Sequence, residues 1–192
     1  MKSSINVSKE NNKENESAKP NPIIENIKSR YILSKIYDNM TIKKKLKIVK
    51  HNKRIQNRLN LDVKDHKEYS EIEIEIIPTK GKYGEFININ EDDKLYYHIY
   101  FNNNKEEVKM NNINKDEEIK IIKIIIDYQV KSFKKLFFLC KCIESINFKK
   151  FYRNNINNME RMFSGCSLLE EINISNFNTN NVTNMSNMFS EC

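Results

Sequence analysis

Four cysteines and three histidines are the residues of this 192-residue chain best suited to nucleophilic or metal chemistry, and their spacing decides which is available. Cys140 and Cys142 are separated by a single residue, whereas zinc knuckles place about two to four between paired cysteines, and His51, His66 and His98 lie far away in sequence. No metal or cofactor is expected from that set. Cys140, Cys166 and Cys192 instead recur at a constant interval of 26 residues. One cysteine per repeat reads as a stacked ladder of small apolar side chains, because unpaired Cys is among the most buried residue types. Gly81 and Gly84 sit in Thr79-Lys80-Gly81-Lys82-Tyr83-Gly84, which lacks the GxxxxGK[ST] spacing of a phosphate loop and reads as a turn. No Ser-His-Asp, Cys-His or paired-carboxylate arrangement stands out, so no catalytic residue is assigned and the chain reads as non-enzymatic.

The 26-residue interval extends well beyond cysteine. Phe137, Phe163 and Phe189 obey it, as do Leu136, Met162 and Met188; Phe133, Met159 and Met185; and Val130, Ile156 and Val182. Fixed-period similarity of this length is the signature of a solenoid, whose units bury their apolar faces only against their neighbours. The fullest unit opens Leu169-x-x-Ile172-x-Ile174, an LxxLxL rhythm that predicts a short strand with inward apolar residues, stacked in parallel on the strand of the preceding unit. The Met185-x-x-Met188-Phe189-x-x-Cys192 segment has helical spacing and is expected to cover the other side. Alternation along the strands puts Ser145 with Glu171, Asn147 with Asn173, and Lys149 with Ser175 on the solvent side, where a solenoid binds partners. These six are the candidate contacts for a protein partner whose identity the sequence does not give. Cys192 closes its unit with no strand after it, so the array is expected to be the start of a longer one, truncated at an uncapped edge that is open to end-to-end self-association.

The elements that must carry this array are also legible. Residues 1–22 are rich in Ser, Asn, Lys and Glu and nearly free of large apolar side chains, which predicts a disordered leader. Residues 23–61 read as a helical subdomain: Leu33, Ile36, Tyr37 and Met40 share one helical face, Thr41 is placed to cap a second helix carrying Leu46, Ile48 and Val49, and Ile55 and Leu59 mark a third. Across residues 62–116 the period falls to two. Ile72, Ile74 and Ile76 alternate with Glu71, Glu73 and Glu75, and the turn at 79–84 leads to Glu85–Ile89, which predicts a β-hairpin; further strands at Leu95–Phe101 and Glu106–Met110 complete a small antiparallel sheet. Residues 117–192, opening with a strand at Glu117–Asp127, hold the leucine-rich-repeat-like solenoid. The expected class is α+β.

A formal net charge of +7 admits an acidic partner, including nucleic acid through the basic helices. Lys is interleaved with Glu and Asp, however, and no base-reading or stacking motif accompanies Lys43, Lys44, Lys45, Lys47, Lys50, Lys53 and Arg54, so no specific nucleic acid is expected. The first 22 residues contain no apolar core of a signal peptide, and the apolar runs near 119–127 and 132–142 are broken by Lys well short of about 18 residues. No transmembrane segment is expected, and the default compartment is intracellular.

Two resemblances follow from particular residues. The run from Met162-Phe163-Ser164-Gly165-Cys166 through Val182-Thr183-Asn184-Met185-Ser186-Asn187-Met188-Phe189 resembles the BspA-like leucine-rich repeat family, whose units read close to MFxGCxSLxxLxLSNFxTxxVTNMSxMFxxC. That resemblance covers the last third of the chain. It implies a right-handed solenoid, protein binding and, in many members, surface association. Tyr31–Ile36, Lys45–Val49 and Asn52–Leu59 are similar in order and spacing to an F-box, the three-helix module that docks a ubiquitin-ligase core. This second resemblance implies a substrate adaptor with the repeats as substrate holder.

Overall fold

The computed structural model describes residues 22–41, 44–45, 48, 51–61 and 70–192. The leader expected over 1–22 lies outside them except for Pro22, as do His66 and most of the predicted second helix, including Leu46 and Val49. Described elements are mixed α and β, with short helices followed by a small mixed sheet.

The helical part comprises α1 (Pro22–Glu25), α2 (Arg30–Asp38) and α3 (Lys53–Leu59). Ser29 caps α2 by accepting from the Ile32 N–H at 3.3 Å, and Asn52 caps α3 by accepting from Ile55 at 3.1 Å. Asn60 ends α3 in the left-handed region at φ 55°. Leu33, Tyr37 and Ile55 form the buried side of these helices, and Arg58 ties the layer together by donating to the carbonyls of Glu25, Ile27 and Lys28. None of these three buried residues belongs to the main apolar core, which runs from Ile72 to Met188.

The main core forms under a five-stranded sheet of order β3-β5-β1-β6-β7. Its strands are β1 (Ile72–Pro78), β3 (Tyr97–Phe101), β5 (Ile122–Ile126), β6 (Ile143–Phe151) and β7 (Glu171–Asn173), while β2 (Gly84–Glu85) and β4 (Asn112–Ile113) make a separate ribbon. Strict alternation buries Ile72, Ile74 and Ile76 against Ile122, Ile124 and Ile126, so the period-two rhythm of β1 is the rhythm of a half-buried central strand.

The hairpin expected between 72–76 and 85–89 does not form. Both edges of β1 are taken, by β5 on one side and β6 on the other, each antiparallel. Phe86 and Ile87 are adjacent and both fully buried, which a one-faced strand cannot do. They plug the core instead, and the next residue meets the first repeat: Asn88 donates its backbone N–H to the Leu136 carbonyl at 2.7 Å and its Nδ2 to the Phe138 carbonyl at 2.8 Å. The boundary expected at 116/117 is also crossed, because β5 and β6 pair with β1 from the preceding segment.

From Val130 onward the chain stacks on itself at the step read from the sequence. β6 and β7 pair in parallel with Ser145 opposite Glu171 and Asn147 opposite Asn173, and isolated parallel bridges join Ser132, Asn158 and Asn184. The Met-x-x-Met-Phe-x-x-Cys segment is not helical. Each copy is a pair of tight turns: Met162 N–H bonds Met159 O and Cys166 N–H bonds Phe163 O, with the same pairs at 136/133 and 140/137. Residues with left-handed φ occupy the third position of these turns at Lys135, Leu139, Arg161 and Gly165 and recur at Asn187 and Glu191, and any of them ends a helix. The intervening amides point along the stack. Phe133, Lys135, Phe137 and Leu139 donate to the carbonyls of Asn158, Glu160, Met162 and Ser164, and Met159, Arg161, Phe163 and Gly165 donate one copy further on.

The columns are therefore physical stacks. Phe137 lies over Phe163 with centroids 5.6 Å apart and rings 6° from parallel, and Phe163 over Phe189 at 5.2 Å and 13°. Cys166 Sγ donates to Phe137 O and Cys192 Sγ to Phe163 O, both at 2.9 Å. Burial pushes the Cys142 thiol up to about 11 and the Cys166 thiol up to about 12, and raises Cys140 further, so these sulfurs stay protonated and inert.

Candidate functional site

The strands that bury isoleucine on one face carry charge on the other, and the six sequence-derived candidate residues belong to that side. Ser145 and Asn147 are half-buried between β1 and β7, whereas Lys149, Glu171, Asn173 and Ser175 are exposed. Parallel register brings Ser145 beside Glu171 and Asn147 beside Asn173. The third pair does not sit in the ladder. β6 is bulged between the residues facing Glu73 and Ile74, which makes Lys149 the extra residue, and β7 ends at Asn173. Ser175 turns back so that its N–H and Oγ donate to Asn173 Oδ1 at 3.1 and 2.7 Å.

Four charged residues outside that set share the face. Lys149 Nζ lies 3.1 Å from Glu75 Oε1, Lys123 Nζ 3.1 Å from Glu73 Oε1, and Lys150 Nζ 3.3 Å from Glu73 Oε2. Partial burial pulls the Glu73 carboxyl upward, but Lys123 and Lys150 outweigh it and hold Glu73 below the ordinary carboxylate range. These five charged groups of the β5-β1-β6 part of the face are thus ion-paired with one another, whereas Glu171 and Asn173 on β7 are exposed. Alternating Glu71, Glu73 and Glu75 gave a visible sign of this face in the sequence; their lysine partners come from strands more than 40 residues away and carried no comparable signal.

At the other edge, His98 on β3 stands between two carboxylates, with Nδ1 3.3 Å from Glu107 Oε2 and Nε2 3.5 Å from Asp127 Oδ2. Each ring nitrogen therefore faces a carboxylate oxygen. A cavity of about 130 Å³ opens beneath this edge, lined by Ile89, Tyr97, Ile99, Val108 and Met110, with Lys94 at its rim. Among the described residues, no group of three His, Cys, Asp or Glu side chains is arranged to hold a metal ion, and no helix is long and apolar enough to cross a membrane.

A family model described as Mycoplasma protein of unknown function, DUF285, matches residues 129–192. The match begins one residue before Val130, the first member of the stacked columns. No curated protein and no solved structure matches the chain.

Proposed function

We propose that the chain is a non-enzymatic protein-interaction module whose last third is a BspA-like leucine-rich-repeat solenoid, presenting Glu171, Asn173 and Ser175 to a protein partner. The observation that carries this reading is the coincidence of the 26-residue sequence interval with the parallel register of β6 on β7 and with the backbone ladder joining successive turns. The matched family occurs in BspA-like surface repeat proteins, which supports the same reading and makes a surface setting part of it. A charged partner would gain little from the ion-paired β1 region and more from the exposed Glu171 of β7. Capture with the full-length chain tests this: a partner should be recovered, and Glu171→Lys with Asn173→Lys should abolish its recovery while far-ultraviolet dichroism stays unchanged. Recovery unaffected by the double variant would overturn the assignment of the face.

A second reading, an F-box-like adaptor, is favoured by the separation of the Leu33–Tyr37–Ile55 core from the main core. Leu33 is buried, so an Asp there would unfold the helices rather than report on docking. Ile32 is 51% exposed on α2 and is the informative position. Ile32→Asp should abolish co-purification with a ligase scaffold without loss of helicity; absence of any scaffold from the wild-type preparation would remove this reading.

A further inference from the structure

Arg153, just past β6, is 3% exposed, a burial that charged side chains rarely reach without a counter-charge. One nitrogen is satisfied, since Nη1 donates to the Asp127 carbonyl at 2.6 Å. The Asp127 carboxylate makes its close contact with His98, Oδ2 to Nε2 at 3.5 Å, and acts on Arg153 without a hydrogen bond to the fork. Nε and Nη2, the two N–H groups forming the side-on fork of the guanidinium, are buried and find no acceptor among the described residues. That fork is the arrangement that matches two oxygens of a carboxylate or phosphate. Two residues on, Asn155 Nδ2 donates to the Tyr128 carbonyl at 2.7 Å, while its Oδ1 is buried without a donor. Both side chains therefore reach back to the same 127–128 stretch, and each leaves polar capacity unused there. The Tyr128 ring lies 5.8 Å from the guanidinium carbon and is itself 38% exposed, so it separates Arg153 from solvent. Burial also draws the Arg153 pKa down to about 10, outweighing the opposing pull of Tyr97, Tyr128 and Asp127 nearby.

We propose that the side-on fork of Arg153 is a receptor for a small oxyanion, a carboxylate or inorganic phosphate, which enters by displacing the Tyr128 ring. Two parallel N–H···O bonds from Nε and Nη2 hold the anion, and the ring returns over it. The site is independent of the interaction face and does not rest on that reading.

Nitrogen-labelled full-length protein, titrated with sodium formate, sodium phosphate and sodium chloride at matched ionic strength, tests the proposal. The Arg153 Nε–H resonance and the Tyr128 amide are expected to shift saturably with formate or phosphate and not with chloride. Tighter binding of formate identifies a carboxylate as the ligand class, and tighter binding of phosphate identifies a phosphate. Arg153→Met should erase the response and leave the thermal midpoint in chloride unchanged or higher, because a buried cation with two unsatisfied nitrogens has been removed. Should that variant fail to fold, Arg153→Lys keeps the charge without the fork and should bind about 10-fold more weakly or worse. Shifts that track ionic strength equally in all three salts, or equal affinity in the Lys variant, would overturn the proposal.

Discussion

The sheet and the turn stack bury comparable apolar side chains by opposite rules. In β3, β5 and β1 each strand takes an antiparallel neighbour distant in sequence, Ile74 against Ile124 and Ile99 against Ile124, and nothing in one strand specifies the identity of the next. In the stack each residue meets its own counterpart 26 positions away: Phe137, Phe163 and Phe189, or Cys140, Cys166 and Cys192. Burial in the sheet is a property of the strand, whereas burial in the stack is a property of having neighbours above and below. One column can therefore hold the same residue type in very different environments, which a central sheet strand does not permit.

The largest effect should come from testing that difference within a single column. Phe163 is fully buried between two rings, while Phe189 is 47% exposed with one ring on one side. Phe163→Ala should cost about 3–5 kcal/mol, in line with large-to-small core changes, and Phe189→Ala less than about half of that. Urea unfolding of both variants measures the two costs, and equal costs would mean that the column does not behave as a stack.

Next in size is a backbone test at the left-handed positions. Gly165 has φ +77°, and a Cβ built there lies 2.5 Å from Leu139 Cδ2, its counterpart one copy earlier. Gly165→Ala should cost about 1–3 kcal/mol from the left-handed conformation, with the clash shared by a movable leucine side chain. The same denaturation midpoint reads it. At Leu139 and Glu191, which hold the equivalent conformation with side chains, substitution by Gly should be neutral or stabilising.

A smaller effect is expected at the seam where the two regions meet. Asn88 supplies the Phe138 carbonyl with a donor that a preceding copy would supply inside the stack. Asn88→Ala leaves that carbonyl short of one bond and should cost about 1 kcal/mol, read as faster amide exchange at Asn88 and in the first turn pair before global unfolding.

The same contrast decides what was legible in the sequence. Repetition made the columns plain, and the parallel register of β6 on β7 followed from the interval alone. Alternation in β1 gave the strand and its buried face but not its partners, because Ile-rich segments at 72–76 and 122–126 recognise each other only through the shared core. The turn pairs were hidden for a different reason. Back-to-back four-residue turns reproduce the 3- and 4-residue spacing of a helix, and of the six left-handed residues only Gly165 advertises its conformation. The candidate face was half legible: Ser145, Asn147, Glu171 and Asn173 fall where alternation put them, while the bulge that displaces Lys149 and the lysines that neutralise Glu73 belong to tertiary structure.

The smallest effect is electrostatic and belongs to the sheet. Glu73 is held between Lys123 and Lys150, and its carboxyl is lowered in the folded state. A group with a depressed folded pKa contributes stability that is fully present above its unfolded value, near 4.5, and is lost as pH falls through the lower folded value. Glu73→Gln should therefore change stability at neutral pH by less than about 1 kcal/mol, since both lysines are more than a third exposed and keep their hydration. Its signature lies in the slope: wild-type stability should decline more steeply below pH 4.5 than that of the variant, and the two curves should converge in acid. High salt should narrow the gap at neutral pH by screening the same pairs. Parallel curves across the acid range would mean that Glu73 is not held by its lysines in solution, and the β5-β1-β6 surface would then have to be counted as charged and available to a partner.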